Sequence, residues 1–118
     1  MYLPAPDESV WVGVARIVLS VPGSRSLKDK RRAVHQVRDR LRSRRNVSVA
    51  EVGHLEDRSR AVMVIAMVGN DARFVQGALD SIVHEIGEWR VGLIESASVR
   101  LWRPTDGGET PGFEDLDA

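Results

Sequence analysis

The sequence predicts an α+β sandwich with the element order strand, helix, strand, strand, helix, strand. Three observations predict it. Four short segments are rich in β-branched residues, and two longer segments carry apolar residues at helical spacing. The switches between these periods fall at punctuating residues such as Pro22-Gly23 and Asn70-Asp71.

The first strand is "VWVGVARIVLSV" (10–21), with Arg16 and Ser20 on one parity and Ile17, Leu19 and Val21 on the other. That alternation gives it a dominant buried face. Pro22-Gly23 stops it, and Ser26 followed by Asp29 matches a capping box where a helix should begin. Leu27, Val34, Val37 and Leu41 then keep helical spacing to about Arg44. "NVSVAEVGH" (46–54) reads as the second strand, "LEDRS" as a short polar connection, and "RAVMVIAMV" (60–68) as the third strand. After an N-cap at Asn70-Asp71, Val75, Ala78, Leu79, Ile82, Val83 and Ile86 line one side of a second helix ending at Gly87. "VGLIESASVRLWR" (91–103) is the fourth strand.

With right-handed crossovers this order is the ferredoxin-like βαββαβ arrangement: a four-stranded antiparallel sheet with two helices on one face. Strands one and three are then central. Residues 10–103 form the domain, residues 1–9 a loose leader, and residues 104–118 an acidic, flexible tail. The third strand is apolar on both parities, with Val62, Val64, Ala66 and Val68 on one and Ala61, Met63, Ile65 and Met67 on the other. Two helices cover only one sheet face. The open face therefore calls for a covering: a second subunit in a homodimer, the C-terminal segment folding back through Trp102 and Phe113, or another partner.

A chain of 118 residues is most simply one domain. It has no cysteine, which excludes disulfides and thiolate zinc sites and fits a reducing cytoplasm. No segment approaches the roughly 18 to 20 apolar residues of a membrane span, so no membrane partner is expected.

The formal net charge is zero, yet residues 22–46 carry ten bases and two acids. That stretch is at +8 and the rest of the chain at −8. Local fields, not the total, govern attraction of a partner. At about 100° per residue, Lys28, Arg32, His35 and Asp39 point away from the core direction of the first helix. Arg40 and Arg42 lie on its flanks, and Arg31 and Arg38 near one boundary, with Arg25 before the helix and Arg45 after it. Surface helices usually mix both signs for i,i+4 pairing. A strip this one-sided fits phosphate contacts as well as it fits simple solvation. Lys30 stands apart, close to the apolar direction between Leu27 and Val34. Two readings are open for it: a stem that snorkels along the sheet edge to water, or an ammonium lining an anion pocket with Arg25 and the loop amides of Gly23 to Ser26.

Catalytic and metal chemistry find little footing. His35, His54 and His84 lie on three elements without ligand spacing, and no nucleophile has a marked context. Glu51, Glu56 and Asp57 form an acidic cluster read as solvated or paired with Arg58 and Arg60. Acylphosphatases share the element order, and Arg25 and Asn70 stand at loosely similar places, but the glycine-rich loop is missing. RNA-recognition motifs display aromatics on strands one and three; here only Trp11 is present.

The runs "PGSRSLKDKR" (22–31) and "NVSVAEV" (46–52) resemble the Ser-Leu-Lys-x-Lys-Arg and Asn-Val-Ser-Val-Ala-Glu patterns of the YlxP-like family, the domain of unknown function numbered 503. "RAVMVIAMVGND" (60–71) is similar to its third strand and exit. The resemblance covers about residues 10–101 and implies a ferredoxin-like fold without an established enzymatic activity. Its genes often neighbour those of a translation initiation factor and a ribosome-binding factor, which implies a place in ribosome assembly.

The functional expectation is thus a non-catalytic, cytoplasmic RNA-binding accessory protein with no cofactor, metal or catalytic residue. Its phosphate contacts are assigned to Arg25, Lys28, Lys30, Arg31, Arg32, Arg38, Arg42 and Arg45, and its partner to ribosomal RNA or a ribosomal subunit. A homodimer through the open sheet face is a further expectation. The alternative is a dimeric protein-interaction module whose basic helix binds an acidic protein.

Overall fold

The computed structural model describes residues 4–104. The elements are β1 (Trp11–Ser20), α1 (Leu27–Arg44), β2 (Ser48–Gly53), β3 (Arg60–Gly69), α2 (Ala72–Glu88) and β4 (Leu93–Trp102). Their sheet order is β2-β3-β1-β4, with every pair antiparallel. This is the ferredoxin-like α+β arrangement. The expected tail and the start of the leader lie outside the described residues.

Alternation in the strands sets the layers. Ala15, Ile17 and Leu19 of β1 and Ala61, Met63 and Ile65 of β3 share one face and are fully buried. They join Val34, Val37 and Leu41 of α1 and Val75, Leu79, Ile82 and Ile86 of α2 in one core cluster, so both helices cover the same sheet face. Each Val, Leu, Ile or Met among them contributes about 1.5–3 kcal/mol by leaving water. Gly13 lets α2 approach β1: a Cβ there would lie 2.5 Å from Val75 Cγ1 and 2.7 Å from Leu79 Cδ1.

The helix starts follow local chemistry. Ser26 Oγ accepts the Asp29 N–H at 3.1 Å, and the Asp29 carboxylate accepts the Arg25 N–H at 3.0 Å. Asp71 caps α2 by accepting the Phe74 N–H at 3.1 Å. The strands end a residue or two inside the bounds expected for β1, β2 and β4, because the residues beyond lack ladder partners. A bulge divides β4: Val18 faces Ser96 but Leu19 faces Ile94, so Glu95 is the extra residue. It re-aims Glu95 toward Arg60, whose guanidinium meets it at 3.0 and 3.2 Å.

Candidate nucleic-acid interface

The first helix presents two different sides. Its outer side is a stripe at helical spacing, in which Lys28, Arg31, Arg32, His35, Gln36 and Asp39 line one shallow open depression. Lys28, Arg31, Arg32, Arg40, Arg42 and Arg44 are exposed, as is Arg25 in the loop before the helix. Among the described residues, Arg25, Lys28, Arg31, Arg32, Arg42 and Arg44 form no ion pair with a carboxylate. Neighbouring like charges about 6 Å apart repel by roughly 0.7 kcal/mol in water before screening. An α-helix of this length holds them on a rigid line about 27 Å long.

Three of the bases have structural work instead. Arg38 Nε donates to Asp39 at 3.0 Å, and Arg45, half-buried, pairs with Glu85 of α2. The Arg40 guanidinium lies 4.8 Å from the Trp89 ring centroid, a cation–π contact tying α1 to the end of α2. Arg38 and Arg45, assigned to phosphate from the sequence, are therefore already paired within the chain. Arg44, which was not assigned, is exposed in the last turn.

Lys30 fits neither reading. Its side chain is 0% exposed, so it neither snorkels nor contacts a phosphate. Its ammonium donates to Glu51 Oε2 at 2.7 Å, to the His54 carbonyl at 2.9 Å and to the Leu55 carbonyl at 3.4 Å. Three donors and three acceptors match, which is the condition under which a buried ammonium is tolerated. The anion pocket is also filled from within: Ser26 and Asp29 already take the Asp29 and Arg25 amides, and the Asp29 carboxylate places negative charge there. Lys30 accordingly leaves the phosphate-contact set.

The Lys30 contact fastens α1 to the β2–β3 turn. His54 adopts a left-handed backbone (φ 55°), and its carbonyl also accepts the Asp57 N–H at 3.0 Å. Ser24 Oγ donates to the Arg58 carbonyl at 2.6 Å, and the Val21 N–H to the Ser59 carbonyl at 2.7 Å. The acidic cluster resolves accordingly. Glu51 pairs with Lys30 and not with Arg58 or Arg60. Asp57 accepts the Ser59 and Arg60 N–H groups and the Ser59 hydroxyl. The Ser59 amide, first among these donors, holds the Asp57 carboxyl below its ordinary pKa despite opposing desolvation, with His54 adding a smaller effect. Sequence reasoning missed Glu51 as a partner, although the signal was present: Glu51 shares the helix-facing parity of Val49.

Other chemistry remains dispersed. Among the described residues no group of three or more His, Asp or Glu side chains is placed to hold a metal. No described helix is long and apolar enough to cross a membrane.

Comparison with known families gives one decisive match. The profile of a protein of unknown function, DUF503, matches residues 12–99. The chain belongs to the DUF503 family. Both motif segments fall inside the match, and in this DUF503 protein they meet: Lys30 stands next to the end of the first, and Glu51, near the end of the second, receives its ammonium. No curated protein matches the chain. Among solved structures, the de novo designed protein Foldit4 is similar at 16% identity, covering 83% of this chain and 99% of its own, with a TM-score of 0.45.

Proposed function

We propose that this DUF503 protein is a non-catalytic RNA-binding accessory protein of ribosomal subunits, and that the outer stripe of α1 is its contact. One observation carries the reading: Arg25, Lys28, Arg31, Arg32, Arg42 and Arg44 are exposed on and beside one rigid helix, and no carboxylate of the described chain pairs with them. Phosphate oxygens relieve such a strip, and each contact releases counterions, so affinity should fall with salt. Among the described residues no aromatic stacking platform accompanies the stripe, which favours recognition of RNA shape and backbone over base sequence. The placement at the ribosome rests on the gene neighbourhood that the family resemblance implies.

Filter binding of the full chain to structured ribosomal RNA, together with co-sedimentation with ribosomal subunits across a salt series, tests this. For about five phosphate contacts, the slope of log affinity against log salt should be on the order of −3 to −5. Changing Lys28, Arg31 and Arg32 to Glu should abolish co-sedimentation. Affinity indifferent to salt, or unchanged in that variant, overturns the reading. A pull-down partner that survives nuclease replaces RNA with an acidic protein.

A further inference from the structure

Two arginines close the connection between β2 and β3, and the chain uses only one of them. The Arg60 guanidinium meets Glu95 at 3.0 and 3.2 Å. Arg58, two residues earlier, is exposed, and among the described residues it forms no ion pair. The sequence pointed to Glu51, Glu56 and Asp57 as its neutralising neighbours, but two of these are occupied elsewhere. Glu51 takes the Lys30 ammonium at 2.7 Å. One Asp57 oxygen accepts the Ser59 and Arg60 amides and the Ser59 hydroxyl, while the other faces His54 Nδ1 at 3.9 Å. Glu56 is exposed and pairs with no base among the described residues.

The loop that carries Arg25 holds Arg58 in place. Ser24 Oγ donates to the Arg58 carbonyl at 2.6 Å, and the Val21 N–H donates to the Ser59 carbonyl at 2.7 Å. Arg25 follows Ser24 directly, so only about 3.8 Å separates its Cα from that of the bonded residue. Two exposed guanidiniums therefore stand on adjoining segments, next to Lys28 in the first turn of α1. Building on the RNA-binding role proposed for α1, we infer that Arg58 is a further phosphate contact. With Arg25 it carries the RNA surface from the helix layer onto the end of the sheet. Exposed connections are usually mobile, and ordering them opposes binding. This one is already tied down at Arg58 and Ser59, so a phosphate meeting Arg58 orders little more than one side chain. The local field favours an anion as well. Arg25, Lys28 and Arg58 have no carboxylate partner, whereas the carboxylates of Asp29 and Asp57 are taken up by backbone amides. The planar guanidinium can also engage two phosphate oxygens at once.

Filter binding of the full chain to structured ribosomal RNA tests this, with two variants that each remove one positive charge from the same connection. Arg58→Gln should weaken binding by about eightfold near 0.1 M salt, the contribution of one phosphate contact. It should also lower the salt slope by about one and leave the urea midpoint in place. Arg60→Gln should change affinity by less than about twofold, because a charge that touches no phosphate acts only through a screened field. Equal losses in the two variants reduce the effect to net charge and overturn the assignment of Arg58. An unchanged affinity and slope in Arg58→Gln also overturns it, and leaves the reading of α1 standing if the Lys28, Arg31 and Arg32 to Glu variant loses binding. Binding that survives in that α1 variant but falls in Arg58→Gln has the opposite meaning: Arg58 stands and the α1 contact falls. A wild-type chain that binds no RNA removes both.

Discussion

Lys28 and Lys30 are two residues apart in one helix and serve opposite ends. Lys28 projects from the outer side of α1 with its charge in water. Lys30 points under the helix, fully buried, with its charge divided between Glu51 and two carbonyls. The difference teaches that a basic motif is not one functional unit. The helical turn of about 100° per residue sorts adjacent bases into those that can meet a partner and those that hold the fold. Counting the bases in residues 22–46 overstates the surface charge available to phosphate, because Lys30 is buried and Arg38 and Arg45 are paired inside the chain.

The comparison breaks most sharply at Lys30. Lys30→Met strands Glu51 and should destabilise the fold by about 3–5 kcal/mol, read as a lowered urea midpoint. Adding Glu51→Leu should recover a large part of that loss, since removing both partners leaves no buried charge alone. At a temperature where Lys30→Met remains folded, its RNA affinity should stay within about twofold of wild type. An unshifted midpoint would return Lys30 to the exposed set.

The outer side should answer in the reverse sense. The Lys28, Arg31 and Arg32 to Glu variant should change in unfolding free energy by no more than about 0.5 kcal/mol per site, while each lost phosphate contact lowers the salt slope by about one. A smaller effect separates two bases that look alike in sequence. Arg40→Ala removes the contact over Trp89 and should cost about 0.5–1 kcal/mol of stability. Arg42→Ala should leave stability unchanged and weaken RNA binding alone.

The smallest effect belongs to the turn that Lys30 clasps. The Asp57 carboxyl has a depressed pKa in the folded protein. Its contribution is therefore present when pH lies above the unfolded-state value, and is lost as pH falls through the folded one. The stability advantage of wild type over Asp57→Asn should be constant at neutral pH and shrink on acidification. An advantage that grows in acid would contradict the hydrogen bonds from Ser59 and Arg60.

Local features were legible because their causes are local. Ser26 and Asp29 are three residues apart and form the expected cap. The parity of Ile17 and Leu19 marks the core face, since alternation in a strand is set by the backbone itself. Glu51 was harder to place. It lies 21 residues from Lys30 on another element, and the intervening turn decides whether the two meet. Two opposite charges, each on a core-facing parity of its own element, were the available signal. The partner of Arg60 was less accessible still, because only the bulge in β4 brings Glu95 across β1 to it.

The sequence by itself determined the order of elements, the apolar faces and the one-sided charge of α1, all properties of periodicity and composition. Tertiary structure alone decided which bases remain free. An ion pair depends on where two distant segments are brought together, and the packing of α1 over β2 sets Lys30 against Glu51 while leaving Lys28 in solvent.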